Sequence, residues 1–174
     1  MKEKIDDKLK ERLTNINLFE DFSEEEETID KIADLGYIQR VRKGEEIIKE
    51  GEFGDILFIL LEGSVRIQKT TLQNQPYTVV ILKEHMNVYF GEVALIDSDK
   101  RSATVVAETD CTLFSITRDS FLKFCEENPY IGYKITMQIA RKLSASLRKM
   151  NKDVITLFEA LVTEVEGENI VPPT

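Results

Sequence analysis

The sequence predicts a mainly β fold, a β-roll or jelly-roll barrel, with helices before it and one long helix after it. Three observations predict it. Between Tyr37 and Ile116 seven short segments rich in Val, Ile, Leu and Phe follow one another: YIQRV, EIIK, ILFILL, SVRIQKT, YTVVIL, SATVVA and CTLFSI. Turns bearing Gly and Asp separate them, which is the spacing of a barrel or jelly roll. No helix of crossover length lies between them, which argues against a parallel α/β sheet. Before Tyr37 and after Thr117 the apolar period is helical instead.

In order, Glu3 to Leu13 reads as a helix, interrupted by Asn15, Asn17 and Asp21. Ser23 before four glutamates reads as an N-cap with acids in the first turn, favourable to the helix dipole. Ile29, Ile32, Ala33 and Leu35 make a helical stripe that stops at Gly36. Gly44, Gly51, Gly54 and Gly63 fall at strand joins, where a positive φ is easiest for glycine. Arg118 to Glu127 is a short helix ended near Asn128-Pro129. The division expected is 1–36 helical, 37–117 β-roll, 118–166 helical, and a tail at 167–174, with NIVPPT frayed.

Tyr130 to about Glu166 reads as one helix. Tyr133, Thr136, Ala140, Leu143, Leu147, Met150, Val154, Leu157 and Leu161 recur at alternating three and four. That is the 3.5-residue period of a coiled-coil seam, held for about four heptads. About 36 residues at roughly 1.5 Å each reach some 50 Å, so only the first half could pack on its own barrel. A homodimer through residues 133–161 is the expectation.

Composition narrows the function. With 174 residues, 42% apolar and 32% charged, the chain has the make-up of one soluble globular domain with an appendage. Its longest apolar run, Ile56 to Leu61, is far short of a bilayer span, and MKEKIDDKLKERL lacks the apolar core of a signal peptide. A cytoplasmic protein without membrane contact is expected. A net charge of −9 argues against direct nucleic-acid binding, though not against one small anion at a local site. Cys111 and Cys125 have no CxxC spacing and read as buried, inert thiols. The single histidine, His85, cannot furnish the ligand cluster of a metal-dependent barrel enzyme, so no catalytic residue and no metal site are assigned.

One stretch, FGEVALIDSDKRSATV from Phe90 to Val105, carries specific chemistry. Gly91 lets a ligand approach the backbone. A single helical turn over Glu92 to Leu95 would present N–H groups, an anion site that Arg101 could complete with paired bonds to phosphate oxygens. Glu92 would require a neutral donor such as a sugar hydroxyl. These features describe a nucleotide with one compact phosphate. Spacing alone slightly favours an ordinary Glu92–Arg101 ion pair across a loop.

This stretch resembles the phosphate-binding cassette of the cyclic nucleotide-binding domain family: FGE, an aliphatic residue, Ala-Leu, a short loop, then Arg, a small residue, Ala and Thr. KGEEIIKEGEFGDILFILLEGSVRI resembles that family's first strands, including Gly44, Gly51 and Gly63. The likeness runs from about Leu18 to Leu161. It implies that the backbone near Gly91, Val93 and Ala94 binds a cyclic phosphate, that Arg101 pairs with an exocyclic oxygen, and that Glu92 accepts from the ribose 2′-OH. Ser102 stands where the family has Ala, Ser or Thr, and does not decide cAMP against cGMP. Val65, Ile81 and Val105 are implied to line the purine pocket. Asn87 and Val88 depart from the family's Gly-Asp, and Asn tolerates the left-handed conformation the turn needs.

The long helix resembles the dimer helix of the bacterial catabolite-regulator branch. There Ser146 matches a hydroxyl that contacts the adenine amino group, while Leu147 stands where a second hydroxyl comes from the partner chain. This favours cAMP. No helix-turn-helix follows the long helix, so the expectation is a sensor whose downstream protein partner is unidentified. The alternative is a degenerate dimeric scaffold or partner-binding domain that binds no nucleotide.

Overall fold

The computed structural model describes residues 2–71, 73 and 75–168. The expected frayed tail NIVPPT lies outside them. Two compact units are present, residues 1–138 and 139–174. In the first, α1 (Lys2–Asn15), a 3-10 turn (Asn17–Phe22) and α2 (Glu26–Ala33) precede the strands. Strands β1 (Tyr37–Val41), β2 (Glu46–Ile48), β3 (Ile56–Glu62), β4 (Ser64–Thr70), β5 (Pro76–Lys83), β6 (Tyr89–Phe90), β7 (Thr104–Ala107) and β8 (Cys111–Thr117) form two four-stranded sheets. Their orders are β1-β8-β3-β6 and β2-β7-β4-β5, every pairing antiparallel. Helices α3 (Arg118–Glu127) and α4 (Pro129–Glu168) follow, α4 continuing into the second unit.

The inner faces of the two sheets meet in one core. Val41, Phe58, Leu60, Phe90, Cys111 and Leu113 come from one sheet, and Ile48, Val65, Val105 and Ala107 from the other. Leu57, Ile59 and Leu61 alternate with them in β3 and are buried as well, because α1 covers that side. Burial on both faces is why ILFILL reads as an unbroken apolar run. At about 25 cal/mol per Å², each fully buried Leu or Ile here contributes on the order of 2 kcal/mol.

The β-roll expectation holds, with local corrections. Among the described residues there are eight strands: β6 has two residues, too few to show a period. Ser23 is not the N-cap of α2, since it has helical φ −56° and closes the preceding 3-10 turn. Glu25 takes that place, and its carboxylate accepts from Thr28 Oγ1 at 2.9 Å. Gly44, Gly51 and Gly63 have positive φ, but Gly54 does not. Gly54 is needed for space instead.

Candidate functional site

The stretch after β6 is built on a stacked pair. Phe58 and Phe90 face each other across the β3–β6 register, ring centroids 5.5 Å apart and 22° from parallel. Gly91 then turns the chain with φ 77°. A Cβ there would lie 2.9 Å from the Ile56 carbonyl and 2.8 Å from Arg101 Nη1, so both conformation and space demand glycine. Glu92–Leu95 forms a 3-10 turn, as the sequence predicts. Ala94 and Leu95 are buried and seat it, while Val93 is exposed. The Ala94 N–H donates to the Gly91 carbonyl at 3.2 Å and is therefore engaged inside the turn.

Arg101 returns to the same place. Its backbone is clamped to the loop before β3, with its N–H donating to the Glu52 carbonyl at 2.8 Å and its carbonyl accepting from Gly51 N–H at 2.9 Å. Its guanidinium donates from Nη2 to the Ile56 carbonyl at 2.7 Å and from Nη1 to the Gly91 carbonyl at 3.2 Å. A Cβ on Gly54 would stand 2.2 Å from Arg101 Nε, so the glycine makes room for the guanidinium. Burial pulls the Arg101 pKa below its usual value, opposed by the carboxylates of Asp55 and Glu92. An arginine remains charged at neutral pH under such a shift. Arg101 also borders a crevice of about 210 Å³ with Ile48, Lys49, Phe53, Gly54 and Ile56. Common small-molecule sites are roughly 300–1,000 Å³, so this crevice is smaller than such a site.

Glu92 is only 9% exposed, unusual for a carboxylate. Tyr89 is buried nearby, and burial, reinforced by Glu92 and Glu20, pushes its hydroxyl pKa up. Gly91, Glu92 and Arg101 are thus brought together, with Val93 and Ala94 in the adjoining turn. Ser102 follows Arg101 and is exposed. Ser146 is exposed on α4, in the second unit. Val65 and Val105 lie on the inner face of the barrel. Ile81 does not share it: Val65 pairs with Leu82, so Leu82 shares that face and Ile81, paired with Arg66, takes the other.

Sequence reasoning missed Gly54, Asp55 and the Ile56 carbonyl as partners of Arg101. A signal for Asp55 was available, an acid directly before the most apolar strand in a loop with two glycines. The carbonyl left no signal, since any residue supplies one. No group of three or more His, Cys, Asp or Glu side chains among the described residues could hold a metal.

The sequence matches the family described as "Cyclic nucleotide-binding domain" over residues 38–128. The chain belongs to the cyclic nucleotide-binding domain family. It is 30% identical to the Cyclic AMP receptor protein of Thermus thermophilus over 128 residues, covering 72% of this chain and 57% of the receptor. It is 35% identical to cGMP-dependent protein kinase 2 of Mus musculus over 139 residues, 76% of this chain and 18% of the kinase. Among solved structures, the regulatory domain of Toxoplasma gondii PKA with cAMP superposes with a TM-score of 0.65 at 25% identity, covering 79% of this chain and 49% of that one. The chain thus spans just over half of the Thermus receptor and less than a fifth of the mouse kinase. This cyclic nucleotide-binding domain has, among its described residues, no helix long and apolar enough to cross a membrane.

Proposed function

We propose that this domain is a regulatory sensor that binds a cyclic nucleotide and does not convert it. One observation carries the reading: the Arg101 guanidinium is held against the Gly91 carbonyl at the start of a 3-10 turn whose first carboxylate, Glu92, is buried. Arg101 would pair with an exocyclic phosphate oxygen, Glu92 would accept from the ribose 2′-OH, and backbone around Gly91 and Val93 would meet the phosphate. Ser102 would add a hydroxyl at the phosphate or the base. Ser146 would contact an adenine amino group, which favours cAMP over cGMP. No metal or further cofactor is required.

Binding would be coupled to a dimeric C-terminal helix through a shift between two helix arrangements. Leu143, Leu147, Met150, Val154, Leu157 and Leu161 of the expected seam are all exposed within their own chain. A second copy would bury them.

One observation favours the alternative, a scaffold that binds no nucleotide. Arg101 commits two donors to backbone carbonyls. A guanidinium has five, however, so three remain for a phosphate. Isothermal titration with cAMP and then cGMP decides between the two readings. Micromolar or tighter binding of either supports the sensor. No heat with both ligands, together with an unchanged melting temperature, would leave the scaffold.

A further inference from the structure

The segment that enters the cassette is pinned from its first residue. Glu84 opens the turn before β6, its N–H donating to the Gly63 carbonyl at 3.1 Å and its carboxylate accepting from the Gly63 N–H at 2.7 Å. Asn87 closes that turn with φ 49° and ψ 55°. Among the described residues it is the one non-glycine with positive φ. The Val88 carbonyl accepts from Leu60 N–H at 3.1 Å, and Tyr89 and Phe90 then pair with β3. From Asn87 to Gly91 the backbone has little slack.

Glycine would adopt the Asn87 conformation without the steric cost a side chain brings. Asparagine offers something glycine lacks, an amide oxygen, and α1 reaches it: Arg12 Nη1 donates to Asn87 Oδ1, across 75 positions of sequence. α1 is itself a packed element. Leu9 and Leu13 are buried beneath it, Lys8 pairs with Glu62 at 2.9 Å, and Lys10 pairs with Asp30 of α2 at 2.6 Å.

We infer that Arg12 is a positioning residue for the cassette: through Asn87 it ties the placement of the Val88–Glu92 segment to the docking of α1. The inference rests on the nucleotide-binding reading above. Its consequence is a linkage between two places. A ligand that selects one placement of Gly91 and Glu92 also selects docked α1, and by reciprocity undocking α1 weakens the ligand by the same factor.

The test is a double-mutant cycle on the full chain, with cAMP affinity by titration and melting temperature measured in parallel. Arg12→Met raises the cAMP Kd about five-fold or more, the low end of typical coupling between sites. Asn87→Gly keeps the turn, removes the acceptor and raises Kd by a similar factor. The double variant is no worse than either single one, because each removes the same bond. Should Arg12→Met fail to fold, Asn87→Gly alone carries the test. A lowered melting temperature with unchanged Kd in both single variants would mean a purely structural bond and overturn the inference. Losses that multiply in the double variant would overturn it too. A wild-type chain that binds neither cAMP nor cGMP overturns both readings, whereas wild-type binding with unaffected variants overturns only this one.

Discussion

The cassette from Phe90 to Arg101 and the helix from Leu143 to Val165 both mix apolar residues with charges, the cassette in one short apolar run and the helix at a three-four spacing. The fold treats them differently. In the cassette, Phe90, Ala94 and Leu95 are buried, and Arg101 is clamped at both backbone and side chain. In the helix, Leu147, Val154, Leu157 and Phe158 are more than half exposed. The face is also wider than a two-residue seam, since Ile155, Phe158, Val162 and Val165 repeat the three-four spacing one position along. The first region finds its partners within its own chain. The second offers an apolar surface that a single chain leaves in water, and the proposed dimer would cover it. Contacts within the chain therefore define the cassette, whereas those of the helix face depend on what covers it.

The comparison breaks most readily at the helix. Leu147→Asp with Leu157→Asp should turn a dimer into a monomer in sedimentation, because the two leucines together represent about 3–6 kcal/mol of apolar burial per chain. The barrel should melt at an unchanged temperature. A monomeric wild type would overturn the dimer. Next in size, Arg101→Ala should weaken cAMP by on the order of 10- to 100-fold, the loss of a charged hydrogen bond worth about 1.5–3 kcal/mol. Titration at matched protein concentrations measures it, and an unaltered Kd would sink the phosphate role.

Gly54→Ala sharpens the contrast, since it disturbs the cassette without touching its charges. The added methyl meets Arg101 Nε and should displace the guanidinium, lowering both affinity and stability by roughly 1–2 kcal/mol. Unchanged values in titration and denaturant melts would show that the guanidinium has room to move. The smallest expected effect concerns pH. Hydrogen bonds from Lys8 and then Thr112 hold the Glu62 carboxyl below its usual pKa. A depressed folded-state value means that its contribution is complete above the ordinary glutamate range and is lost as pH falls through the folded value. Lys8→Met should therefore flatten the acid limb of a melting-temperature profile slightly, because the pair is exposed and screened.

Much of this was legible in the sequence because it is local. Alternating Val, Ile and Leu mark a strand wherever one face is covered, and FGEVALIDSDKRSATV is legible through its resemblance to a family cassette, since its spacing alone also allows an ion pair. What escaped was either too short or too distant. Tyr89–Phe90 cannot display a period in two residues. The cap of α2 moved from Ser23 to Glu25 because the 3-10 turn ran through Phe22 and took Ser23 as its own end. Gly54 looked like a residue chosen for φ and turned out to be one chosen for the volume of a side chain nearly fifty positions away. Arg12 and Asn87 meet only after the strands between them have folded. The second apolar row on α4 could have been read, but a template of two positions per heptad passed over it.

Consider finally the two peptide carbonyls at the start of β3. Asp55 O accepts the Arg118 N–H at 2.7 Å, where β8 passes into α3 without an intervening loop, and the very next carbonyl, Ile56 O, accepts the Arg101 guanidinium. Neighbouring atoms of one extended segment thus serve the cassette on one hand and the first helical residue after the barrel on the other. Insertions here should be selected against far more strongly than substitutions. Changing the side chain of residue 56 leaves both carbonyls where they are. One added residue would slide the register and offer each of the two arginines the wrong acceptor.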